Sequence, residues 1–305
     1  MGGDNAPGAN LLGAYLASKK LDNNEKVVLV GDTELANHWF SSNNIDSSLF
    51  DFIHASEVIH MNEHATKALR KKPNNSISVG FKALKNKEID VFSSSGNSGA
   101  MLVGSMFSIG PVKGVIRPGI TSVLPKENGG VGLILDVGVN ADCKPDVLFQ
   151  FAILGSLFAE NVYNIKNPKV GLLNIGEEKG KGNLLTQATY QLLEDNDDIN
   201  FIGNVEGRDL FNDKADVVVC DGFTGNVVLK LAESFYSIIS KKNLSDSYFN
   251  RFNYEIYGGT PVLGVDGNVL IGHGISNEHA IKNMILLSKD LINSKLNSKI
   301  KIAFK

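Results

Sequence analysis

The residues that could do chemistry sit in short glycine-rich loops. In Ser94-Ser95-Gly96-Asn97-Ser98-Gly99 the glycines permit positive φ and close backbone approach, and Ser98 suits a helix N-cap. Bare N–H groups at a helix start favour an anion such as phosphate. A second loop, Asp221-Gly222-Phe223-Thr224-Gly225-Asn226, repeats the pattern, and segment 89–103 aligns without gaps on 215–229. Neither loop ends in Gly-Lys-[Ser/Thr] or spells Gly-x-Gly-x-x-Gly, which argues against P-loop and dinucleotide binding. Each is expected to be a helix start, with an unliganded tight turn as the alternative.

Asp136 lies within an apolar run, where an unpaired carboxylate is costly and so needs a partner or a ligand. It either fixes its own loop or touches substrate. Asn140 and Lys144 follow, and Pro145 suits a helix's first turn. The loop 174–183 holds Asn174, Glu177, Lys179, Lys181 and Asn183 among three glycines. Its lysines could neutralise phosphate, and Glu177 could orient a lysine or take a proton. Its glycine content predicts a mobile binding loop, with a solvated surface loop as the alternative. Glu206, Arg208 and Asp209 offer acids and a cation after another apolar run. His273, between Gly272 and Gly274, is expected to be exposed, as an acid/base or a turn residue. Arg70, Lys71 and Lys72 close a helix, either as complements to its dipole or as a docking face for an acidic protein.

The elements that must position these loops alternate. Strands are expected at 26–31, 52–55, 89–93, 120–124, 132–137, 169–175, 200–203 and 215–220. Helices are expected at 8–19, 63–71, 76–87, 98–109, 145–163, 183–194, 226–241 and 278–291, and the stretch between 257–259 and 272–274 reads as hairpin-like. Near-continuous Val/Ile/Leu runs suit strands covered on both faces, hence a doubly wound α/β chain with a largely parallel sheet. A looser echo joins 131–138 to 170–176, and together the echoes predict pseudo-symmetric halves supplying equivalent loops to one site. The chain has 305 residues, net charge −3 and two cysteines, Cys143 and Cys220. That balance offers no field for nucleic acid, the thiols read as unpaired, and no metal-ligand spacing is present. No apolar run nears the roughly 20 residues of a spanning helix, and the N-terminus lacks a signal-peptide pattern.

Taken together, the loops resemble the phosphate acyltransferases of bacterial phospholipid synthesis. The matching stretches are 1–7 (MGGDNAP), 68–80 (ALRKKPNNSISVG), 93–100 (SSSGNSGA), 135–145 (LDVGVNADCKP), 171–183 (GLLNIGEEKGKGN), 202–209 (IGNVEGRD), 217–230 (VVVCDGFTGNVVLK), 257–259 (YGG) and 272–274 (GHG). They cover nearly the whole chain. The resemblance implies a single domain, 1–305, of two intertwined lobes. It implies a three-layer α/β/α sandwich with a mixed sheet, similar to isocitrate and isopropylmalate dehydrogenases, and a cytoplasmic homodimer. The implied reaction moves a fatty acyl group from acyl-carrier protein to inorganic phosphate, without cofactor or metal. A membrane acyltransferase acting on glycerol 3-phosphate would consume the product.

On that reading Gly2, Gly3, Asp4, Gly96, Asn97, Ser98, Gly99, Asp136, Asn140, Asn174, Glu177, Asn183, Gly222, Gly225 and Asn226 surround phosphate or substrate. Lys144, Lys179 and Lys181 supply charge, Asp221 or His273 moves protons, and Arg70, Lys71 and Lys72 dock the carrier. The sequence departs from the family in three places. The family has a strand before its Met-Gly-Gly-Asp loop, so a first strand is expected ahead of Met1. The stretch 231–256 is short where the family carries a longer helical hairpin, which weakens a membrane inference. Ile275-Ser276-Asn277-Glu278 replaces a frequent Ser-Ser-Asp, so no catalytic acid is placed there. Phosphotransacetylase-like transfer using coenzyme A is the alternative function; a nicotinamide dehydrogenase or a metabolite-binding protein are the remaining rivals.

Overall fold

A computed structural model describes residues 1–305. Along the chain run α1 (Gly8–Ser18), β1 (Val28–Gly31), α2 (Thr33–Ser42), β2 (Asp51–His54), α3 (Ala65–Lys71), α4 (Ser76–Lys85), β3 (Val91–Ser94), α5 (Ser98–Gly104), β4 (Gly119–Pro125) and β5 (Val131–Leu135). There follow α6 (Pro145–Val162), β6 (Val170–Leu173), α7 (Leu184–Glu194), β7 (Phe201–Val205), β8 (Val217–Val219), α8 (Gly222–Lys241), β9 (Thr260–Leu263), β10 (Asn268–Ile271), α9 (Glu278–Ser294) and α10 (Leu296–Ala303). The chain divides into two compact units, one made of Met1–Gly110 with Tyr254–Asn293, the other of Pro111–Asn253 with Ser294–Lys305.

In the first unit β1 pairs with β2 in parallel, β3 with β10 in parallel, and β10 with β9 antiparallel, the expected hairpin. Leu11, Ala14, Leu29, Ala36, Phe40 and Phe50 form one buried cluster, with the Phe40 and Phe50 rings stacked. Glycine lets the helices close up: a Cβ on Gly80 of α4 would stand 2.2 Å from the Phe92 ring of β3, and one on Gly13 of α1 would stand 2.5 Å from Ile281 of α9. The helix expected over 98–109 is α-helical only to Gly104. A π turn over Ser105–Ile109 ends it at Gly110, φ +85°.

In the second unit the strand order is β4-β5-β8-β6-β7, antiparallel at β4–β5 and parallel thereafter. Side-chain alternation along the strands sorts the covering helices. Ile134 and Val218 join Leu229 and Ala232 of α8 in one cluster. Gly155 of α6 packs instead on Val217 and Leu135, whose side chains belong to the other face. The parallel order sends the loops after β5, β6, β7 and β8 off one edge of the sheet, where open α/β sheets bind ligands.

Two helices absent from the expectation are α2 and α10. Each buries only two side chains, Ala36 and Phe40 in the first, Leu296 and Ile300 in the second, too few for a periodic apolar signal. Helix α8 starts at Gly222 rather than 226 because Asp221 caps it, its Oδ1 accepting from Thr224 N at 2.9 Å.

Candidate functional site

In the first unit three backbone segments meet at glycines. The loop after β3, the turn after β10 and the Gly2–Asn5 loop are tied by Gly272 N donating to Ser94 O (2.9 Å), Asp4 N to Gly274 O (2.7 Å) and Ser95 Oγ to Gly2 O (2.9 Å). Gly3 has φ +107°, and a Cβ there would stand 3.0 Å from both Gly274 O and Ser95 O. The structure thus brings Gly2, Gly3, Asp4, Gly96 and His273 together. Ser98 is not the N-cap of α5; Asn97 is, its Oδ1 accepting from Ala100 N at 2.9 Å. The other end of the Asn97 amide donates to His60 O (3.0 Å), Met61 O (3.3 Å) and Glu63 O (3.0 Å). At 6% exposure this side chain is spent on backbone, while Ser98 and Gly99 are exposed residues in the first turn of α5, where N–H groups have no intrahelical partner. His273, expected to be exposed, is half-buried, its ring 4.5 Å from that of Tyr254.

In the second unit Asp136, fully buried, organises the loop beyond β5. Its Oδ1 accepts from Ile120 N at 3.0 Å, and its Oδ2 accepts from Asn140 N (2.7 Å) and Asn140 Nδ2 (2.9 Å). Burial raises its pKa above the usual carboxylate range, against the pull of these hydrogen bonds. Asn140 also donates to Pro118 O at 2.9 Å, and its own carbonyl accepts from Gly222 N at 2.7 Å. Of the two readings for Asp136, this geometry fits backbone fixation. Asp221 is likewise engaged, by Thr224 N and by Thr224 Oγ1 at 2.8 Å. Asn226 is exposed and lies over Gly138, whose φ is +105°. Lys144 is exposed at the N-cap position of α6, with Pro145 in the first turn. Cys143 and Cys220 are free; burial pushes the Cys143 thiol up to about 11 and raises the Cys220 thiol too.

The 174–183 loop is cross-linked by side-chain hydrogen bonds. Asn174 Nδ2 donates to Lys181 O (3.2 Å) and Asn204 Oδ1 (3.0 Å), Asn204 Nδ2 to Glu178 O (3.0 Å), and Gln187 Nε2 to Gly180 O (2.9 Å). Asn183 caps α7 through Thr186 N. Lys179 is ion-paired with Glu194 of α7, which raises its pKa. Glu177 accepts from Lys214 at 2.6 Å, a residue that sequence reasoning missed because 37 positions separate the two. Lys181 is exposed and its Nζ has no carboxylate partner.

Of the cations closing α3, Arg70 and Lys71 are exposed, but Lys72 turns inward to Glu63 (2.6 Å) and Val58 O (2.8 Å).

The solved EutD phosphotransacetylase of Staphylococcus aureus matches 93% of this chain and 98% of its own, with TM-score 0.61 and 13% identity. A 4-hydroxythreonine-4-phosphate dehydrogenase from Klebsiella pneumoniae matches 93% and 97%, with TM-score 0.53 and 10% identity. At such identities the likeness speaks to a mixed α/β fold alone. The curated "Phosphate acyltransferase" of Dictyoglomus turgidum is 42% identical over 319 aligned residues, 98% of this chain and 94% of that one. A family profile described as "Fatty acid synthesis protein" matches residues 1–299, and with that span the chain belongs to this family.

Proposed function

We propose that the chain transfers a fatty acyl group from an acyl-carrier-protein thioester to inorganic phosphate, giving an acyl phosphate for phospholipid synthesis. The observation that carries the reading is 42% identity across 98% of the chain to a protein named phosphate acyltransferase. The chain is an acyltransferase, as its relatives at 42% identity are named. A phosphate oxygen attacks the thioester carbonyl carbon, an oxyanion forms, the C–S bond breaks, and the carrier thiolate leaves and takes up a proton. Loop N–H groups at Ser98 and Gly99 suit the anion or the oxyanion. Lys144 and Lys181 supply charge, and His273 or Asp221 handles the proton. Gly2, Gly3, Asp4, Gly96, Asn97, Asp136, Asn140, Asn174, Glu177, Asn183, Gly222, Gly225 and Asn226 shape the loops. Lys179, held by Glu194, is the weaker charge donor.

Arg70 and Lys71 are the proposed docking cations for the acidic carrier. A strand followed by a glycine-rich loop and a helix occurs in each unit, at β3–α5 and at β8–α8, which supports pseudo-symmetric halves even though the capping residues stand two positions out of step. The helices on both faces of the β4–β8 sheet support a three-layer, isocitrate/isopropylmalate-dehydrogenase-like arrangement. Exposed Phe223, Val227, Leu231 and Ile238 along α8 support a homodimer. No helix is long and apolar enough to cross a membrane; a cytoplasmic location and hand-over of product to a membrane acyltransferase are part of the proposal. Turnover with long-chain acyl-carrier protein against short acyl-CoA tests the donor. A carrier preference is expected, and a preference for short acyl-CoA would replace this reading with the coenzyme A alternative.

A further inference from the structure

We infer that Lys214 is a positioning residue that clasps the 174–183 loop through Glu177 and leaves Lys181 as that loop's cation for phosphate, an inference resting on the phosphate reading above. The anchor is Asp209, 7% exposed. Its Oδ2 accepts from Glu206 N (3.0 Å) and Lys214 Nζ (2.9 Å), and its Oδ1 accepts from Asn212 Nδ2 (3.2 Å). Lys214 then reaches Glu177 Oε1 at 2.6 Å. Arg208, bound to Glu206 at 2.6 Å, stands 3.8 Å from the same Glu177 oxygen.

This arrangement divides the work among the charges. Glu177 has a lysine and an arginine beside it and serves as the loop's handle. Lys179 is held by Glu194 and lies 5.6 Å from the Tyr190 ring centre. Lys181 remains the loop lysine with an uncommitted ammonium, a compact point charge suited to phosphate. Exposed ion pairs add little stability, but a small displacement of a binding loop costs heavily in rate. The clasp therefore belongs to substrate positioning more than to the fold.

The test uses the full chain with inorganic phosphate and a saturating fatty-acyl thioester of acyl-carrier protein. Lys214→Met is expected to raise KM for phosphate about tenfold while kcat stays within about threefold, and Lys214→Arg should restore most of the loss. Hydrogen exchange at 176–182 should quicken in Lys214→Met and equally in Glu177→Gln, with no further gain in the double variant. Unchanged KM and unchanged exchange in folded Lys214→Met would overturn the clasp. Should that variant misfold, Glu177→Gln, at an exposed position, carries the same test. Wild-type protein that forms no acyl phosphate, together with faster exchange in Lys214→Met, would remove the phosphate role and keep the clasp.

Discussion

Gly225 sits so close to Asp136 that a Cβ on the glycine would stand 1.9 Å from the aspartate's carbonyl oxygen. Within α8 an alanine would ordinarily be favoured over glycine by about 1 kcal/mol, but here the clash decides the sign. Gly225→Ala should lose at least about 2 kcal/mol in denaturant unfolding. Gly180→Ala, where a Cβ meets nothing within 4 Å, should stay within about 0.5 kcal/mol.

Asn97 makes a sharper chemical test. Asn97→Ala removes an N-cap worth about 1 kcal/mol and strips a donor from three carbonyls. Asn97→Asp keeps the cap acceptor yet turns an oxygen toward those carbonyls. If the amide's donors matter as described, the aspartate will be no better than the alanine in chemical denaturation; full rescue by aspartate would contradict the account.

Asp209 predicts an acid dependence. Burial works to raise its pKa, but hydrogen bonds from Glu206 N and Lys214 prevail and the net shift is downward. A lowered folded pKa contributes stability above the unfolded value of about 3.9, lost as pH falls through the folded one. Lys214 is shifted upward, chiefly by Glu177, so it stays charged throughout that window. The stability gap between wild type and Asp209→Asn should be flat above about pH 5 and shrink below about pH 4.

How legible this was in the sequence depended on distance along the chain. A carboxylate at the end of an apolar run announced that Asp136 needed partners, and Asn140, four residues on, was within sight. The two Gly-x-[Ser/Thr]-Gly loops marked helix starts, though the ungapped echo hid that α5 begins after Asn97 and α8 after Asp221. Asn97's partners at 60–63 and Glu177's at 214 come from tertiary packing, which no local pattern encodes. Lysine type alone could not separate Lys179, paired with Glu194, from Lys181, and Lys72 looked like its exposed neighbours.

That separation gives a kinetic prediction. Lys181→Ala should raise KM for phosphate about tenfold, and Lys179→Ala should change it less than about threefold. The reverse order, measured in initial rates at varied phosphate, would overturn the assignment.

The central claim is tested most directly by incubating the purified, folded full-length chain with long-chain acyl-carrier protein, with and without inorganic phosphate. The account predicts acyl phosphate and free carrier thiol in equal amounts, appearing only when phosphate is present. Thiol release that ignores phosphate, or no acyl phosphate at all from folded protein, would contradict it.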